Sequence, residues 1–200
     1  MASDAQDFLQ QCLLFDIEVN EHNVIYSIGA AFRGDSFLIK PGKKISRLQL
    51  QEFDEFGRSA SFVLGHNILS HDIPRLRQID PLLQLLRKPA VDTLYLSPLA
   101  FPENPYHRLV KNYRIVRDSI NDPVQDALLA GKIFTEQWDA FAGQIGSGSD
   151  VPILYRSFLH HEKYFAGTAS ALEAMGVPLL AGDDLYETFS WLAQKHGCRS

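Results

Sequence analysis

The stretch LLFDIEVN, residues 13–20, has the apolar character of a buried β-strand but contains two acids, Asp16 and Glu18. Side chains alternate along a strand, so both acids lie on the same side of it, about 7 Å apart at a rise of ~3.3 Å per residue. Ionised carboxylates do not stay unpaired in a protein interior; they take up a proton, pair with a cation or bind a metal ion. The stretch therefore predicts a strand with a functional face, unless that face is open to water.

Composition narrows the class of protein. The chain has 200 residues, 46% of them hydrophobic and 22% charged. These values are typical of one folded domain, or one domain with a small appendage, and exclude a disordered chain. Apolar runs stay well below the ~20 residues of a membrane helix, and the amino terminus lacks a signal-peptide pattern. Cys12 and Cys198 provide neither a disulfide framework nor zinc spacing. We expect a cytoplasmic protein without a membrane partner.

The first part of the chain predicts strands with one helix between them. The apolar stretches NVIYSIGAAFR and SFLIKP flank Gly34 and Asp35, a two-residue hairpin signal with glycine in the first position. SFVLGHN, residues 61–67, predicts a short buried strand that ends in a turn. Between them, SRLQLQEFDEFG predicts a helix with Ser46 as its N-cap, Gly57 as its end, and Leu48, Phe53 and Phe56 on its apolar face.

The longest helical signal is NDPVQDALLAGKIFTEQWDAF, and its start is specified by Asp122 as N-cap and Pro123 in the first position. Its first turns are apolar nearly all round, which predicts a buried helix. The Gly/Ser-rich residues 143–150 mark a boundary. We divide the chain into a domain at 12–142 and a helical extension at 150–200. We expect an α/β fold in which helices flank a mixed β-sheet.

Two further acids lie where neighbouring elements would present them to the strand. Asp72 follows the predicted strand and a short loop, and Asp126 lies in the first turn of the long helix. Each acid alone has an ordinary interpretation: Asp16 and Glu18 on a solvated strand face, Asp72 as a helix cap, Asp126 as an exposed helix acid. Four carboxylates from different segments together make a hard-oxygen site that suits Mg²⁺ or Mn²⁺.

Three motifs give the chain a resemblance to a known group. FDIEVN resembles the first motif of the DEDD (DnaQ-like) 3′→5′ exonucleases. GHNILSHDIPRL is similar to their second motif, especially in the form found in family-B polymerase proofreading domains, and NDPVQDA stands where the third motif belongs. The resemblance covers residues 12–142. Together with SPLAFP and YHRLVKNYRIVRDS, the motifs also resemble exonuclease-like domains attached to bacterial RecQ-type helicases.

The resemblance implies an RNase H-like fold and hydrolysis of terminal phosphodiester bonds at two metal ions. The residues that would hold two Mg²⁺ or Mn²⁺ ions are Asp16, Glu18, Asp72 and Asp126. Such ions, ~3.5–4 Å apart, stabilise the attacking and leaving oxygens and lower the pKa of the attacking water. Asn67 would position the nucleic acid through its amide. His66 beside it is either a further substrate contact or a packed histidine.

The pattern departs from the group at the residue that handles the proton of the water. The resemblance implies a His five residues, or a Tyr four residues, before the last acid, where this chain has Asn121 and Asp122. A neutral amide cannot accept that proton but can orient the water. Asp122 is either a base or a helix cap. His71 could approach the metals, although a residue adjacent to Asp72 on an extended segment is expected to point away.

One concentrated basic segment is a candidate contact for a phosphate backbone. Four cations follow three-residue spacing: Arg108, Lys111, Arg114 and Arg117. On a helix they would share one face, either solvated or guiding nucleic acid towards the acids. A net charge of −5 does not exclude this, since local charge decides such contacts.

The sequence leaves two main functional hypotheses. The first is a metal-dependent 3′→5′ exonuclease that acts on single-stranded or frayed ends, with DNA favoured over RNA and with an atypical or missing general base. The second is a weakly active or inactive module that binds nucleic-acid ends for a helicase or DNA-repair complex, or within a larger polypeptide. A third interpretation, an α/β domain with scattered surface acids, requires the four acids to lie far apart.

Overall fold

A mixed five-stranded β-sheet organises the structure, a computed structural model that describes residues 4–42, 44–104 and 122–180 together with residues 190 and 194. Its strands are β1 (Cys12–Val19), β2 (Ile25–Phe32), β3 (Asp35–Ile39), β4 (Phe62–Gly65) and β5 (Ala90–Asp92). They lie in the order β3-β2-β1-β4-β5. β2 is antiparallel to β1 and β3, whereas β1, β4 and β5 are parallel. This sheet confirms the predicted α/β class and is consistent with an RNase H-like fold.

Helices flank the sheet, and their packing follows from strand alternation. They are α1 (Ala5–Leu9), α2 (Arg47–Phe56), α3 (Asp72–Ile79), α4 (Thr93–Ala100), α5 (Pro123–Gly146), α6 (Val151–His160) and α7 (Ala166–Ala174). Phe15 of β1 packs with Phe53 of α2 on one face, and Leu14 shares a cluster with Phe134 of α5 on the other. Asp16 and Glu18 have the parity of Leu14, so β1 presents them on the face covered by α5.

The hairpin between β2 and β3 is present, but its turn lies one residue earlier than the sequence predicts. Phe32 pairs with Asp35, so the two loop residues are Arg33 and Gly34, with φ of 51° and 88°. Positive φ at both positions matches the right-handed twist of the strands. Glycine therefore occupies the second loop position, and Asp35 already belongs to β3.

Helix α2 begins as predicted, but its buried stripe differs from the expected one. The Gln49 N–H donates to the Ser46 side chain, and the Ser46 N–H donates to the Gln49 side chain, which completes a capping box. Leu48 is 64% exposed, whereas Leu50 and Phe53 are buried. The predicted apolar face is therefore correct for Phe53 and for Phe56, which packs against the core, and wrong for Leu48, because the helix contacts the core through Leu50 and Phe53.

Helix α5 begins after Asp122 as predicted, but its first turns are only half buried. Ala127 is buried there, while Leu128 is exposed because the sheet covers one side of the helix. The helix continues to Gly146, so it includes half of the Gly/Ser-rich residues 143–150. In the ranges that the structure describes, no helix combines the length and hydropathy needed to cross a membrane.

The extension at 150–200 contains the predicted helical segments where it is described. Gly167 of α7 lies against β5, since a Cβ at this position would be 2.2 Å from the Ala90 carbonyl oxygen. Leu172 joins the buried cluster that contains Phe134 of α5. The helix predicted near the carboxyl terminus lies outside the described residues, apart from residues 190 and 194. The division into two domains stays a prediction.

Candidate metal centre

Three of the four predicted acids meet under the start of α5. Asp16 and Glu18 of β1 and Asp126 of α5 each offer a carboxylate oxygen, and these oxygens lie within 4.8 Å of one another. Two oxygens that bind one Mg²⁺ at about 2.1 Å are separated by at most about 4.2 Å. Side-chain rotations that bring these oxygens closer together would therefore be needed to close the group around a cation. Its all-oxygen donor set fits a hard divalent ion.

Gly29 is the residue that allows α5 to start so close to the sheet. It lies on β2 directly opposite Asp16 of β1. A Cβ at Gly29 would be 2.2 Å from both the Pro123 carbonyl carbon and the Val124 nitrogen, closer than any side chain permits. The first turn of α5 therefore packs directly against the backbone of β2. This close packing brings Asp126 near the acids of β1. Sequence reasoning missed Gly29, although a glycine inside the apolar run SIGAAF is the signal for a close backbone approach.

Asp72 lies beside the three acids rather than among them. It is 2% exposed, and its Oδ1 accepts a hydrogen bond of 3.0 Å from the Ile17 N–H. β4 pairs with β1 only as far as Leu14, so Asp72 takes up a backbone donor of β1 beyond the end of β4. Since Ile17 separates Asp16 from Glu18, this bond holds the fourth acid next to the pair. The two motifs are thus joined by a hydrogen bond between strand backbone and carboxylate.

The proximity of the acids changes their protonation. Burial, followed by the charges of Asp72, Asp126 and Glu18, raises the pKa of Asp16 to about 8. Burial and Asp126 also raise the pKa of Glu18. The pKa of Asp72 is raised by burial, against the opposing effects of His71 and the Ile17 N–H. Without a cation the cluster therefore retains a proton near neutral pH, and a bound cation would displace it.

His71 faces the acids, contrary to the expectation that it points away. Its Nδ1 is 3.5 Å from Asp72 Oδ2, and its charge lowers the pKa of Glu18. The expectation assumed an extended segment, in which neighbours alternate. His71 instead has φ −114° and ψ −65° at the start of α3, so the chain is already turning and both side chains reach the same side.

Asp92, at the end of β5, fixes the loop that leads from β4 to Asp72. The N–H groups of Asn67 and Leu69 donate to its two carboxylate oxygens at 2.8 and 3.0 Å. The Leu94 N–H donates to it as well. Asp92 is fully buried, and sequence reasoning did not single it out because its partners lie about 25 residues away along the chain. An acid directly before a helix start was the available signal.

The structure places two of the predicted substrate contacts in this loop. Asn67 is half buried and adopts φ 64°, a conformation that asparagine tolerates. His66 Nδ1 lies 2.9 Å from Thr93 Oγ1, and burial lowers the pKa of His66. These contacts agree with the packed interpretation of His66. Substrate contact by either residue stays a prediction.

Of the remaining predicted residues, the structure describes Asp122 but not Asn121 or the four basic residues. The Asp122 carboxylate accepts hydrogen bonds from the Val124 and Gln125 N–H groups at 3.0 and 3.3 Å. It therefore acts as the cap of α5, as the simpler interpretation predicts. The residues that lie outside the described ranges are Asn121, Arg108, Lys111, Arg114 and Arg117.

Comparison with known proteins finds a distant likeness to one kind of polymerase. The chain is similar to the family B DNA polymerase from the hyperthermophilic archaeon Pyrobaculum calidifontis, with 15% identity and a TM-score of 0.39. The match covers 82% of this chain and 28% of the polymerase chain. Neither a protein-family model nor a curated protein matches. A likeness at this level leaves the function to be inferred from the acids themselves.

Proposed function

We propose that the chain is a metal-dependent nuclease of the DEDD type that removes nucleotides from 3′ ends of single-stranded or frayed DNA. The observation that carries the proposal is the convergence of Asp16, Glu18 and Asp126 from β1 and α5, with their oxygens within 4.8 Å of one another. The order of the three motifs in the sequence supports the same function. An association with a helicase or a longer polypeptide, by resemblance, belongs to this proposal.

The residues that would hold two Mg²⁺ or Mn²⁺ ions are Asp16, Glu18, Asp126 and the adjacent Asp72. When bound, such ions stabilise the attacking and leaving oxygens of an in-line displacement and lower the pKa of the attacking water. The chain itself contributes preorganisation. Gly29 keeps α5 against the sheet, and the Ile17 N–H holds Asp72 in place. These contacts fix the acids before substrate arrives, which is the main protein contribution to such a site.

His71 is the described side chain that we assign to orienting the attacking water. It faces Asp72 and lowers the pKa of Glu18, whereas the Asp122 carboxylate caps α5. Orientation by a hydrogen bond does not require His71 to be the general base. Asn121 can contribute in the same way through its amide. A site with these residues would be slower than one with a positioned base by about 10²–10⁴-fold.

The test follows a 5′-labelled single-stranded oligonucleotide in Mn²⁺ and compares the wild type with Asp16→Asn. We expect a ladder that shortens from the 3′ end, and a rate at least about 10³-fold lower in the variant, or ~4 kcal/mol of barrier. Asp80→Asn, at the end of α3, is the matched control and should retain the rate. Degradation that survives Asp16→Asn would show a contaminating nuclease and remove the support for this site.

A second candidate function is a module that binds 3′ ends without cutting them. It is favoured by one observation, the presence of Asn121 and the cap Asp122 where the resemblance implies a proton acceptor. Such a module would bind 3′ ends tightly, leave the oligonucleotide intact in Mn²⁺, and respond to Asp16→Asn in metal binding only. Asn121→His discriminates further, because a gain in rate would identify a missing base as the limit of an active site.

A further inference from the structure

Three aromatic side chains, two of them exposed, form a cluster beside the loop that carries His71 and Asp72. Tyr95 of α4 meets Tyr164 and Phe165, which precede α7, at ring-centroid distances of 6.3 and 5.5 Å. Tyr164 and Phe165 are 5.0 Å apart with nearly perpendicular planes. Tyr95 is 37% exposed and Tyr164 is 47% exposed. Adjacent exposed aromatic side chains form a contiguous patch of the kind that contacts ligands or partners.

Hydroxyl groups fix the cluster to the loop that precedes Asp72. The Ser70 and Tyr95 hydroxyls are hydrogen-bonded at 2.9 Å, and the Tyr164 hydroxyl interacts with both of them. Ser70 lies two residues before Asp72, so the tyrosine hydroxyls are anchored within about 12 Å of the backbone of that acid. α4 follows the carboxyl end of β5, and the acids lie at the carboxyl end of β1. Ligands of open α/β sheets bind outside this edge.

Rigid support makes the exposed rings suitable for recognition. Phe165 packs against the hydrophobic core, and Asp92 caps the helix that carries Tyr95. The Gln137 side chain donates a 2.7 Å hydrogen bond to the Thr93 carbonyl oxygen, which ties the start of α4 to α5. Lys163, next to Tyr164, is exposed and adds a positive charge at this surface. Preorganised rings lose little entropy when a flat ligand stacks on them.

We propose that Tyr95 and Tyr164 form a stacking surface for an unpaired nucleobase of the strand whose 3′ end reaches the acids, with Lys163 beside its phosphate backbone. The proposal rests on the proposed function and names its substrate class. A base can stack on these rings only when it has left a duplex, so the surface selects single-stranded ends. Stacking is tolerant of sequence because every base has a flat face.

The first test measures binding of a 5′-fluorescein single-stranded oligonucleotide by anisotropy in EDTA, so that no turnover occurs. Stacking on one ring contributes enough for Tyr164→Ala to weaken binding at least about fivefold. Tyr164→Phe keeps the ring and should bind within about twofold of wild type. Leu48→Ala removes an exposed apolar side chain from α2, away from this surface, and should leave binding unchanged. Unchanged binding by Tyr164→Ala and Tyr95→Ala would overturn the proposal.

The second test places one abasic nucleotide at successive positions from the 3′ end of the same oligonucleotide. Wild type should lose affinity at one position in particular, and Tyr164→Ala should bind all these oligonucleotides equally. If Tyr164→Ala keeps the position dependence, the ring has only a structural role and the proposal fails. Position-dependent binding without degradation in Mn²⁺ would keep the stacking surface and refute the nuclease. Degradation that is unchanged in Tyr164→Ala would support the nuclease and refute the stacking surface.

Discussion

The carboxyl ends of β1 and β5 each present an acid that is withdrawn from water, but their surroundings differ. Asp92 is met by backbone N–H groups of Asn67, Leu69 and Leu94, which oppose the rise in its pKa that burial causes. Asp16 is met by other carboxylates, and its pKa rises to about 8. Asp92 is therefore satisfied by the fold alone, whereas Asp16 lies in a group that a cation would complete. Burial of an acid does not by itself identify a functional site. What matters is whether the neighbouring groups are hydrogen-bond donors or further negative charges.

The largest effect on stability should come from removing the satisfied acid. Asp92→Ala leaves buried N–H groups of the β4–α3 loop without their acceptor, so the free energy of unfolding should fall by about 3 kcal/mol. Asp16→Ala should lower it far less in EDTA, because the substitution also removes repulsion. Urea unfolding of both variants measures the difference. Equal losses would contradict the distinction between the two acids.

A smaller effect should follow from lifting α5 off β2. Gly29→Ala places a methyl group where Pro123 and Val124 lie, so the free energy of unfolding should fall by about 2 kcal/mol as the helix shifts. Mn²⁺ affinity should fall too, since Asp126 moves away from Asp16. Gly143→Ala is the matched control in the same helix. Its Cβ meets open space, so this substitution should stabilise the protein by about 0.5–1 kcal/mol. Mn²⁺ affinity is measured by calorimetry. An unchanged affinity in Gly29→Ala would show that the position of α5 does not contribute to the metal centre.

A further effect concerns the pH dependence of stability. Burial and the neighbouring carboxylates raise the pKa of Asp16 from an ordinary 3.8 to about 8, so between these values the folded state binds more protons than the unfolded one. The contribution of Asp16 to stability in EDTA should therefore be fully present below pH ~4 and be lost progressively as pH rises towards 8. Asp16→Asn should flatten this fall, and Mn²⁺ should reverse it in wild type. Thermal unfolding from pH 5 to 8 gives the measurement. An identical slope in Asp16→Asn would assign the effect to other groups.

Much of the fold can be predicted from local sequence patterns, namely strand alternation and helix capping. Strand alternation in LLFDIEVN placed Asp16 and Glu18 on one face, and Ser46 and Asp122 cap their helices as their neighbours in sequence suggest. These features depend on residues within one turn or one strand. The pattern also predicted Asp126 at the acids, because the motif order supplied a partner that spacing alone does not.

The parts that could not be predicted depend on contacts between distant segments. β5 has only three residues and no alternating pattern, so nothing local marks it as a strand. The role of Gly29 depends on Pro123, and that of Asp92 depends on a loop contributed by an earlier strand. His71 was misplaced because the start of α3 was taken as extended backbone. Each error concerns how two elements approach each other rather than which element forms.

The contact between Gly167 and Ala90 affects whether the sheet can associate with other protein molecules. β5 is an edge strand of the described sheet, and edge strands offer backbone groups on which a second molecule can extend the sheet. With its glycine seated against the Ala90 backbone, α7 occupies the space that an incoming strand would need. We therefore expect α7 to protect this edge of the sheet from pairing with a second molecule. A chain shortened before α6 should aggregate even if its acids remain intact.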